Sequence, residues 1–481
     1  MVEASQLFTC NDELLLHKLV FLKDYELLKM ILFKERVKIG NKYKHPLIDQ
    51  LDNRGCTALQ LAIMTNQSNI VELLVNYGGA SVLISNKNGW SPLNEAVAIG
   101  NKEILRIILL KKQEEIRKNF YQMIPKIAKV IAKNVNDFKF EISWNMKSWV
   151  PILSGFCPSD TYTIWKKDSK LRIDSTLIGF ENLRWIRGKQ SFIFQLEGSD
   201  ETPTITAINH TNKIFRKIFD NHSLEGDTLI YDKTREKDDQ KLNKKINDLL
   251  NERITKFSLS ASSVIFKPDN NFMWNYKTQR KEKINGYLCS IWKTENLILK
   301  VKSRCEHMTL ETKSSTKENS RQKITLKKEN KQFKGLDSIL PNELITYKDY
   351  FETQQSDHLH LGKPYQLKNS FYNLSSSLWI CEHNLDSTTT APKFPLELTH
   401  FIQLIDVLAW YQPTFANELG YLLKNKFPTG FPMKAQIPLL PTITLNIQFD
   451  NFNFGKFDET LFDIPDDGYS SCSLSEKSGS I

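Results

Sequence analysis

The sequence lacks long apolar runs and uses cysteine sparingly. No segment approaches the roughly 18 uninterrupted apolar residues that a membrane span requires, and the N-terminus lacks a basic region followed by an apolar one. The 7 cysteines are odd in number and scattered, with no C-x-x-C pair, which argues for reduced thiols and against disulfides or structural zinc. We therefore expect a cytoplasmic protein.

The motifs of common catalytic sites are also missing. The sequence contains no G-x-S-x-G, H-E-x-x-H, G-x-x-x-x-G-K or G-x-G-x-x-G. His358 and His360 lie on one side of an extended segment, but no third ligand cluster accompanies them, so we expect solvated histidines there. Cys157 has no visible base partner. The sequence predicts a protein that is not an enzyme and has no metal, cofactor or catalytic residue.

The formal net charge of +10 raises the question of a nucleic-acid partner. Much of this charge lies in two stretches, Lys213 to Lys245 and Lys313 to Lys334, in which apolar residues are few. Such segments usually form solvated loops or disordered insertions, because they bury too little apolar surface to offset chain entropy. No basic motif interleaved with aromatic residues accompanies them, so we expect no nucleic acid partner.

What the sequence does contain is an internal repeat. Its positions are 34 residues apart, within one residue of the ankyrin period of about 33, and they pair Gly55 with Gly89, Leu59 with Leu93 and Ala62 with Ala96. Each copy has a turn glycine, a Thr or Ser placed to cap a helix, and an apolar face that one repeat cannot bury alone. With a degenerate unit upstream, the pattern predicts a stack of about three ankyrin repeats over residues 11–115.

A basic amphipathic stretch follows over residues 116–135, with isoleucines on one face and lysines on the other. Two interpretations stay open. As a capping or linker helix, it packs against the last repeat, because repeat arrays need a terminal cap. As a surface helix, it lies on an anionic membrane.

Beyond this stretch, the apolar period changes from helical to alternating. The alternation predicts strands at residues 138–147, 171–177, 191–196 and 204–208, and a hairpin formed by 286–292 and 297–301. Helical spacing returns at residues 396–408 and 415–423. The fold class is therefore α+β: an all-α ankyrin stack, then a mostly antiparallel β domain with C-terminal helices.

Several multi-residue blocks make the chain resemble the ankyrin repeat domain 13 family, in which short ankyrin repeats precede a G-protein-coupled-receptor chaperone domain. The blocks are Ser148-Trp149-Val150-Pro151, Cys157-Pro158-Ser159-Asp160, Leu171-Arg172-Ile173-Asp174-Ser175-Thr176-Leu177-Ile178-Gly179-Phe180, Trp185-Ile186-Arg187-Gly188-Lys189-Gln190-Ser191-Phe192, Leu378-Trp379-Ile380-Cys381-Glu382 and Phe427-Pro428-Thr429-Gly430-Phe431-Pro432-Met433-Lys434-Ala435-Gln436-Ile437-Pro438-Leu439. The resemblance implies a chaperone-like domain over 137–448. The Lys-rich insertions near 213–260 and 306–335 depart from the family pattern, and we expect a flexible tail over 449–481.

The resemblance also implies a function. The family includes a chaperone that holds newly made receptors at the endoplasmic reticulum, and other members that act at the plasma membrane and endosomes. The endocytic members carry ubiquitin-interacting helices, whereas the acidic tail here is interrupted by Pro465 and Gly468, which oppose a helix. We therefore expect a chaperone or adaptor for immature multi-pass receptors, peripherally associated with the cytosolic face of the endoplasmic reticulum membrane. The alternative is an endosomal adaptor that sorts ubiquitinated receptors.

A further alternative is an anionic-lipid-binding module that uses Lys166, Lys167, Arg172 and Arg187 near strand ends. Trp149, Trp165, Trp185 and Trp379 are candidates for an apolar client patch, although aromatic residues on alternating strands are usually core.

The candidate protein-binding residues lie on the predicted repeat turns. We expect four side chains to be solvent-accessible there, namely Asn53, Lys87, Asn88 and Trp90. The repeated apolar positions Leu59, Ala62, Leu93 and Ala96 are expected in the stack core.

Overall fold

A computed structural model of the chain describes residues 14–35, 37–39, 42–134, 137–181, 184–195, 204–219, 234–260, 262–273, 276–308, 345–351, 360–363, 366–381, 420–440, 442–465 and 468–471. The chain divides into two compact units. The first, here called the repeat unit, comprises residues 1–119, 236–256 and 302–369. The second, here called the sheet unit, comprises residues 120–235, 257–301 and 370–481.

The α-helices of the described residues are numbered in chain order. They are α1 (Leu15–Leu22), α2 (Tyr25–Lys34), α3 (Ala58–Met64), α4 (Ser68–Asn76), α5 (Pro92–Ile99), α6 (Lys102–Asn134), α7 (Pro151–Ser154), α8 (Thr234–Asn251) and α9 (Tyr347–Phe351). No helix within these ranges combines the length and apolar character that crossing a bilayer demands.

The first helix of each of the two copies that are 34 residues apart begins at a reciprocal cap. Thr57 Oγ1 accepts from the Gln60 backbone N–H at 3.3 Å, and Gln60 Oε1 accepts from the Thr57 N–H at 3.0 Å. Ser91 and Asn94 repeat this capping box one period later. These side chains satisfy backbone donors that the first helical turn leaves without partners, so the repeated Thr and Ser fix where α3 and α5 begin. The predicted ankyrin stack is confirmed.

The hydrophobic core of the repeat unit includes residues from outside the repeats. The repeated positions Leu59, Ala62 and Ala96 are fully buried, and Leu93 is half-buried against the same core. Four residues of the distant helix α8 pack against this core, namely Leu242, Ile246, Leu249 and Leu250. The Arg106 guanidinium of α6 also bonds Asp239 of α8 at 2.7 Å.

This packing corrects the expectation that Lys213 to Lys245 forms solvated loops or a disordered insertion. Residues 214–219 form a strand and 234–251 form α8. The apolar residues of α8 recur at helical spacing among Lys, Asn and Asp, so they form one narrow buried stripe despite the low apolar content. The second Lys-rich stretch, 313–334, lies outside the described residues.

The strands of the described residues are also numbered in chain order. They are β1 (Val37–Ile39), β2 (Lys42–Lys44), β3 (Phe138–Ser148), β4 (Ser159–Lys167), β5 (Lys170–Glu181), β6 (Arg184–Gln195), β7 (Thr204–Asn209), β8 (Ile214–Phe219), β9 (Ile254–Ser260), β10 (Ile265–Pro268), β11 (Asn270–Met273), β12 (Tyr276–Gln279), β13 (Lys281–Ile284), β14 (Tyr287–Glu295), β15 (Leu297–Arg304), β16 (Lys368–Leu374), β17 (Ser377–Cys381), β18 (Phe431–Leu440), β19 (Ile443–Asn453) and β20 (Ser470–Ser471).

The sheet unit is built on one large sheet. Its order is β10-β14-β17-β18-β19-β3-β4-β5-β6-β7-β8-β20, and β13 pairs with β14 beside this path. Neighbours are antiparallel except for β8 and β20, which are parallel. The alternation in β3 directs Phe138 and Phe140 into a core shared with Phe431 and Met433 of β18. The predicted, mostly antiparallel β domain is confirmed.

The hairpin predicted from 286–292 and 297–301 is wrong in its pairing. Both segments are strands, but β14 pairs with β10, β13 and β17, whereas β15 lies between β16 and β9 in a separate three-stranded sheet. Because the two edges of β14 are already occupied, β15 has no free edge of that strand to bond. The turn between them passes through Asn296, whose positive φ of 58° lets the chain leave the first sheet.

Two boundaries also differ from the sequence-based ones. Residues 116–134 continue α6 without a break, so they are not a separate capping helix. The tail expected to be flexible from 449 continues β19 to Asn453 and forms a 3₁₀ turn at Glu459–Phe462, where Phe462 is buried against Ile193 and Ile208. Of the predicted C-terminal helices, 396–408 lies outside the described residues, and residues 420–425 are helical.

Candidate functional site

The repeat turns expose three of the four predicted binding residues. Asn53, Lys87 and Asn88 are exposed, and we call these three residues the repeat-turn surface. Lys87 also joins the two turns, since its Nζ donates to the Asn53 carbonyl and its backbone N–H donates to the Arg54 carbonyl at 3.4 Å. Gly55 and Gly89 end these two turns with φ of 69° and 79°, values that glycine adopts without steric cost.

Trp90 is not solvent-accessible, and the sequence-based expectation is wrong on this point. Its side chain is 1% exposed. The Arg304 guanidinium carbon lies 5.0 Å from the Trp90 ring centroid, and Gln60 Nε2 donates to the Trp90 carbonyl at 3.0 Å. Arg304 comes from a distant part of the chain, so the sequence around the repeat gives no sign of the group that covers the indole.

Arg304 also forms a buried ion pair with Glu95 of α5. Nη1 and Nη2 donate to Oε1 and Oε2 at 3.0 and 3.1 Å. Burial opposes ionisation of Glu95, but the nearby His360 imidazole and the charge of Arg304 outweigh it and hold the pKa of Glu95 below its ordinary value. Arg304 Nε further donates to Glu306 at 3.0 Å.

His360 belongs to this network. The expectation of a solvated histidine is wrong for His360, whose side chain is buried with Nε2 3.4 Å from Glu95 Oε2. His358 lies outside the described residues. Within the described ranges, no three His, Cys, Asp or Glu residues cluster in a way that suits a metal ion.

A second segment of the chain covers the turn of the first repeat. The Tyr350 hydroxyl of α9 donates to Asp52 Oδ2 at 2.7 Å, and Arg54 Nη1 donates to the Tyr350 carbonyl at 3.0 Å. The Arg54 guanidinium carbon is 4.0 Å from the Tyr350 ring centroid, and Phe21 packs on the same ring at 5.6 Å. Burial, together with the Asp52 charge, raises the pKa of Tyr350 well above its usual value, so this residue remains a hydrogen-bond donor.

Other segments of the same chain therefore cover part of the turn side of the repeat unit. The bases of the turns bind residues 304, 350 and 360, while the repeat-turn surface remains exposed. Rigid turns that project a few polar side chains from a packed base are suited to recognising a protein partner.

The four cations proposed for lipid binding do not form a positive patch in the sheet unit. Each lies within 4 Å of a carboxylate: Lys166 with Asp137 at 3.0 Å, Lys167 with Glu459 at 3.2 Å, Arg172 with Asp174 at 2.7 Å and Arg187 with Asp160 at 3.6 Å. Lys166 is also almost fully buried. Their charges are largely neutralised within the fold, which weakens any field they present to a membrane.

The four tryptophans considered as a client patch do not share one environment. Trp379 lies in the core of the large sheet, and Trp165 packs beside Ile193 and Phe462. Trp185 stacks on Phe180 with ring centroids 4.6 Å apart. Trp149 is 76% exposed.

A serine–histidine pair in the sheet unit has no motif that would single it out in the sequence. Ser191 Oγ and His210 Nε2 are 2.6 Å apart, and His210 Nδ1 is 2.8 Å from the Tyr469 hydroxyl. Ser191 is fully buried and also accepts from Arg172 at 3.1 Å. A buried hydroxyl cannot reach a substrate, so this pair joins the C-terminal segment to β6 and the end of β7.

The fold and the exposed turns define a class: an ankyrin-repeat protein, an adaptor-type chain in which a repeat stack accompanies a large antiparallel sheet. Two family descriptions match it, "Ankyrin repeats (3 copies)" over residues 16–120 and "ANKRD13 C-terminal" over residues 172–471. The chain belongs to the ANKRD13 family.

Several curated relatives match across most of the chain. Ankyrin repeat domain-containing protein 13C-B of Xenopus laevis is 27% identical over 438 residues, which cover 89% of this chain and 79% of that protein. Protein 13C of Homo sapiens is 27% identical, covering 87% and 73%. Protein 13B of Mus musculus is 27% identical, covering 84% and 63%.

Among solved structures, a DUF1329 family protein from Desulfovibrio piger matches with 8% identity and a TM-score of 0.18, covering 71% of this chain and 97% of that one. A LolA superfamily protein from Nitrosomonas europaea matches with 10% identity and a TM-score of 0.14 over the same shares. Both TM-scores are too low to inform the fold.

Proposed function

We propose that this adaptor binds newly made multi-pass receptors on the cytosolic face of the endoplasmic reticulum and supports their biogenesis and trafficking without catalysis. The observation that carries the proposal is the repeat-turn surface, in which Asn53, Lys87 and Asn88 project from turns whose bases are tightly bonded. A pre-organised turn surface loses little entropy on binding, so it suits cytosolic loops or tails that are themselves flexible.

The mechanism we propose is holding. The repeat unit binds a cytosolic segment of an immature receptor and stabilises it by mass action until folding is complete. This mechanism consumes no nucleotide, consistent with a sequence that carries no phosphate-binding glycine motif.

The alternative, an endosomal adaptor for ubiquitinated cargo, requires a helix that presents an apolar patch to ubiquitin. The acidic segment around Glu459 is a single 3₁₀ turn whose largest apolar residue, Phe462, is buried. The observations on this segment therefore favour the biogenesis role.

The test is crosslinked co-purification from fractionated cells that express the tagged, full-length chain. The variant Asn53→Arg/Asn88→Arg places bulky charges on the repeat-turn surface, and Asn76→Arg places one on an exposed residue of α4 as the matched control. We expect the wild type and the control to recover immature multi-pass receptors from the reticulum fraction, and the double variant to lose them.

Other results would overturn parts of the proposal. Equal recovery by all three proteins would mean that the client binds at a surface other than the repeat turns. Recovery of mature, ubiquitinated cargo from endosomes would establish the sorting alternative, and a wild type without receptor clients would exclude both roles.

A further inference from the structure

One end of the large sheet carries three neighbouring chain connections. The order β18-β19-β3-β4-β5-β6 is antiparallel throughout, so the β18–β19, β3–β4 and β5–β6 connections all leave from the same end. The register places Ile443 opposite Ser148 and Asn145 opposite Ser159, which brings the first two connections next to each other.

These connections expose large apolar side chains. Trp149 is 76% exposed and Ile152 is 77% exposed, so most of the surface of both side chains faces water. We call the exposed apolar residues of these connections and of the strand ends beside them the hairpin tip; they are Trp149, Ile152, Leu153, Phe156, Phe180 and Leu440. Such clustering is unusual for a water-facing surface and marks a place where an apolar partner binds.

The backbone holds the tip in this outward arrangement. Around α7, the Ser154 N–H donates to the Val150 carbonyl at 3.0 Å, and the Phe156 N–H donates to the Leu153 carbonyl at 3.1 Å. Trp185 Nε1 donates to the Phe156 carbonyl at 2.9 Å, which ties the β3–β4 connection to the β5–β6 connection. The apolar side chains therefore point outward from a turn that is bonded internally.

The charged residues beside the tip are mostly basic. Lys147 at the end of β3 and Arg184 at the start of β6 are exposed. Asp160, near the start of β4, is buried and accepts hydrogen bonds from the Ser175 and Thr176 hydroxyls at 2.7 and 2.6 Å. Its carboxylate therefore contributes little negative charge to the surface. The other acidic residue beside the tip is Glu181 at the end of β5, which the strand register places opposite Arg184, so Lys147 is the cation without an acidic residue opposite it in the β3–β19 register.

We infer that the hairpin tip inserts into the interface of an anionic lipid bilayer. Tryptophan prefers the headgroup level, the aliphatic and phenylalanine side chains enter the acyl boundary, and Lys147 and Arg184 meet the anionic headgroups. A protruding tip needs a partner that deforms around it, as lipid does, whereas a protein would need a matching groove. The inference concerns the sheet unit and does not rest on receptor binding by the repeat turns.

The test is flotation of the purified full-length protein with two vesicle types, phosphatidylcholine alone and phosphatidylcholine mixed with phosphatidylserine. Trp149→Ser/Ile152→Ser removes the two most exposed apolar groups of the tip. Leu288→Ser/Phe371→Ser is the matched control, because both residues are more than half exposed on other strands. Circular dichroism and thermal melting establish that each variant is folded.

We expect the wild type and the control to float with the mixed vesicles. The tip variant should bind these vesicles at least about tenfold more weakly. Lys147→Glu/Arg184→Glu should reduce the preference for phosphatidylserine, and high salt should have the same effect. Asn53→Arg/Asn88→Arg should float like the wild type, so failure of the receptor proposal is distinguishable from failure of this one.

Three results would overturn the inference. A wild type that floats with neither vesicle does not bind lipid by any surface. A tip variant that floats like the wild type places lipid binding elsewhere on the chain. Loss of receptor co-purification by the tip variant, with no flotation of the wild type, would identify the tip as a protein-binding surface.

Discussion

Glu95 and Arg304 are 209 positions apart in the chain, yet they form a fully buried, two-bond ion pair in the repeat unit. Arg304 closes over Trp90 as well, so one side chain from outside the repeats neutralises a repeat carboxylate and covers a repeat indole. A charge left alone in such a place is costly, because neither water nor another cation replaces the lost partner.

The ion pair gives the first prediction. Arg304→Met should lower the free energy of unfolding of the repeat unit by about 3–5 kcal/mol, because it leaves the Glu95 carboxylate buried without its cation. The double variant Glu95→Gln/Arg304→Met should lose less, since the Glu95 charge is absent as well, and the remaining loss reflects Glu306, which loses its bond from Arg304 in both variants. Urea denaturation followed by circular dichroism measures both, and equal losses would mean that the packing of Arg304 matters more than its charge.

The second prediction concerns Trp90. Trp90→Ala should reduce the free energy of unfolding by about 3–5 kcal/mol, because it opens a cavity at a buried site. An exposed neighbour, Asn88→Ala, should change it by no more than about 0.5 kcal/mol. Thermal melting compares the two. A Trp90→Ala melting curve close to that of the wild type would contradict the buried placement.

The third prediction tests helix α8. Ile246→Ala removes a buried side chain of the repeat-unit core and should cost about 2–5 kcal/mol of stability. Lys244→Ala, on the exposed side of the same helix, serves as the control and should be nearly neutral. If both variants unfold at the same urea concentration as the wild type, α8 does not pack on the repeats.

The fourth prediction is a pH dependence from His17. Burial lowers the pKa of His17 below its ordinary value of 6.5, although the hydrogen bond to the Cys56 carbonyl at 3.0 Å and the Asp52 charge act in the opposite direction. The folded state therefore favours neutral His17, and the unfolded state binds a proton more readily. The stability from this group is present above about pH 6.5 and is lost as the pH falls through the lowered folded value.

The measurement is urea denaturation of the wild type and His17→Gln across a series of pH values from neutral to acidic. Glutamine keeps an N–H donor but does not titrate, so the gap between the two proteins should shift in favour of the variant as the pH falls. Other histidines titrate in both proteins and cancel in the comparison. A gap that stays constant with pH would show that His17 does not titrate differently on folding.

The fifth prediction concerns thiol reactivity. Cys289 and Cys381 lie opposite each other on β14 and β17 and are both buried, and the hydrogen bond between them together with burial raises the pKa of Cys289. Burial also raises the pKa of Cys56. Iodoacetamide should therefore label Cys157 and Cys305, which are partly exposed, well before these three. Mass spectrometry of the folded and urea-unfolded protein tests the order, and early labelling of Cys289 would contradict it.

Local periodicity was enough to predict the repeat helices and several strands of the sheet unit. The 34-residue spacing and the Thr57 and Ser91 caps predicted the repeat helices, because both signals act within a few residues. The alternation over 138–147 predicted β3 for the same reason. Which strands pair with each other was harder to predict. The sequence of β14 and β15 looks like a hairpin, but both edges of β14 are occupied by other strands, so β15 pairs elsewhere.

The sequence by itself determined the ankyrin stack, the strand-rich domain that follows it and the family to which the chain belongs, since periods, caps and motif blocks are local properties. Only the tertiary structure decided that Trp90 is buried, that His360 meets Glu95, and that Trp149 and Ile152 remain in water. Burial depends on residues that arrive from distant parts of the chain, such as Arg304, and no local pattern specifies which of them will arrive.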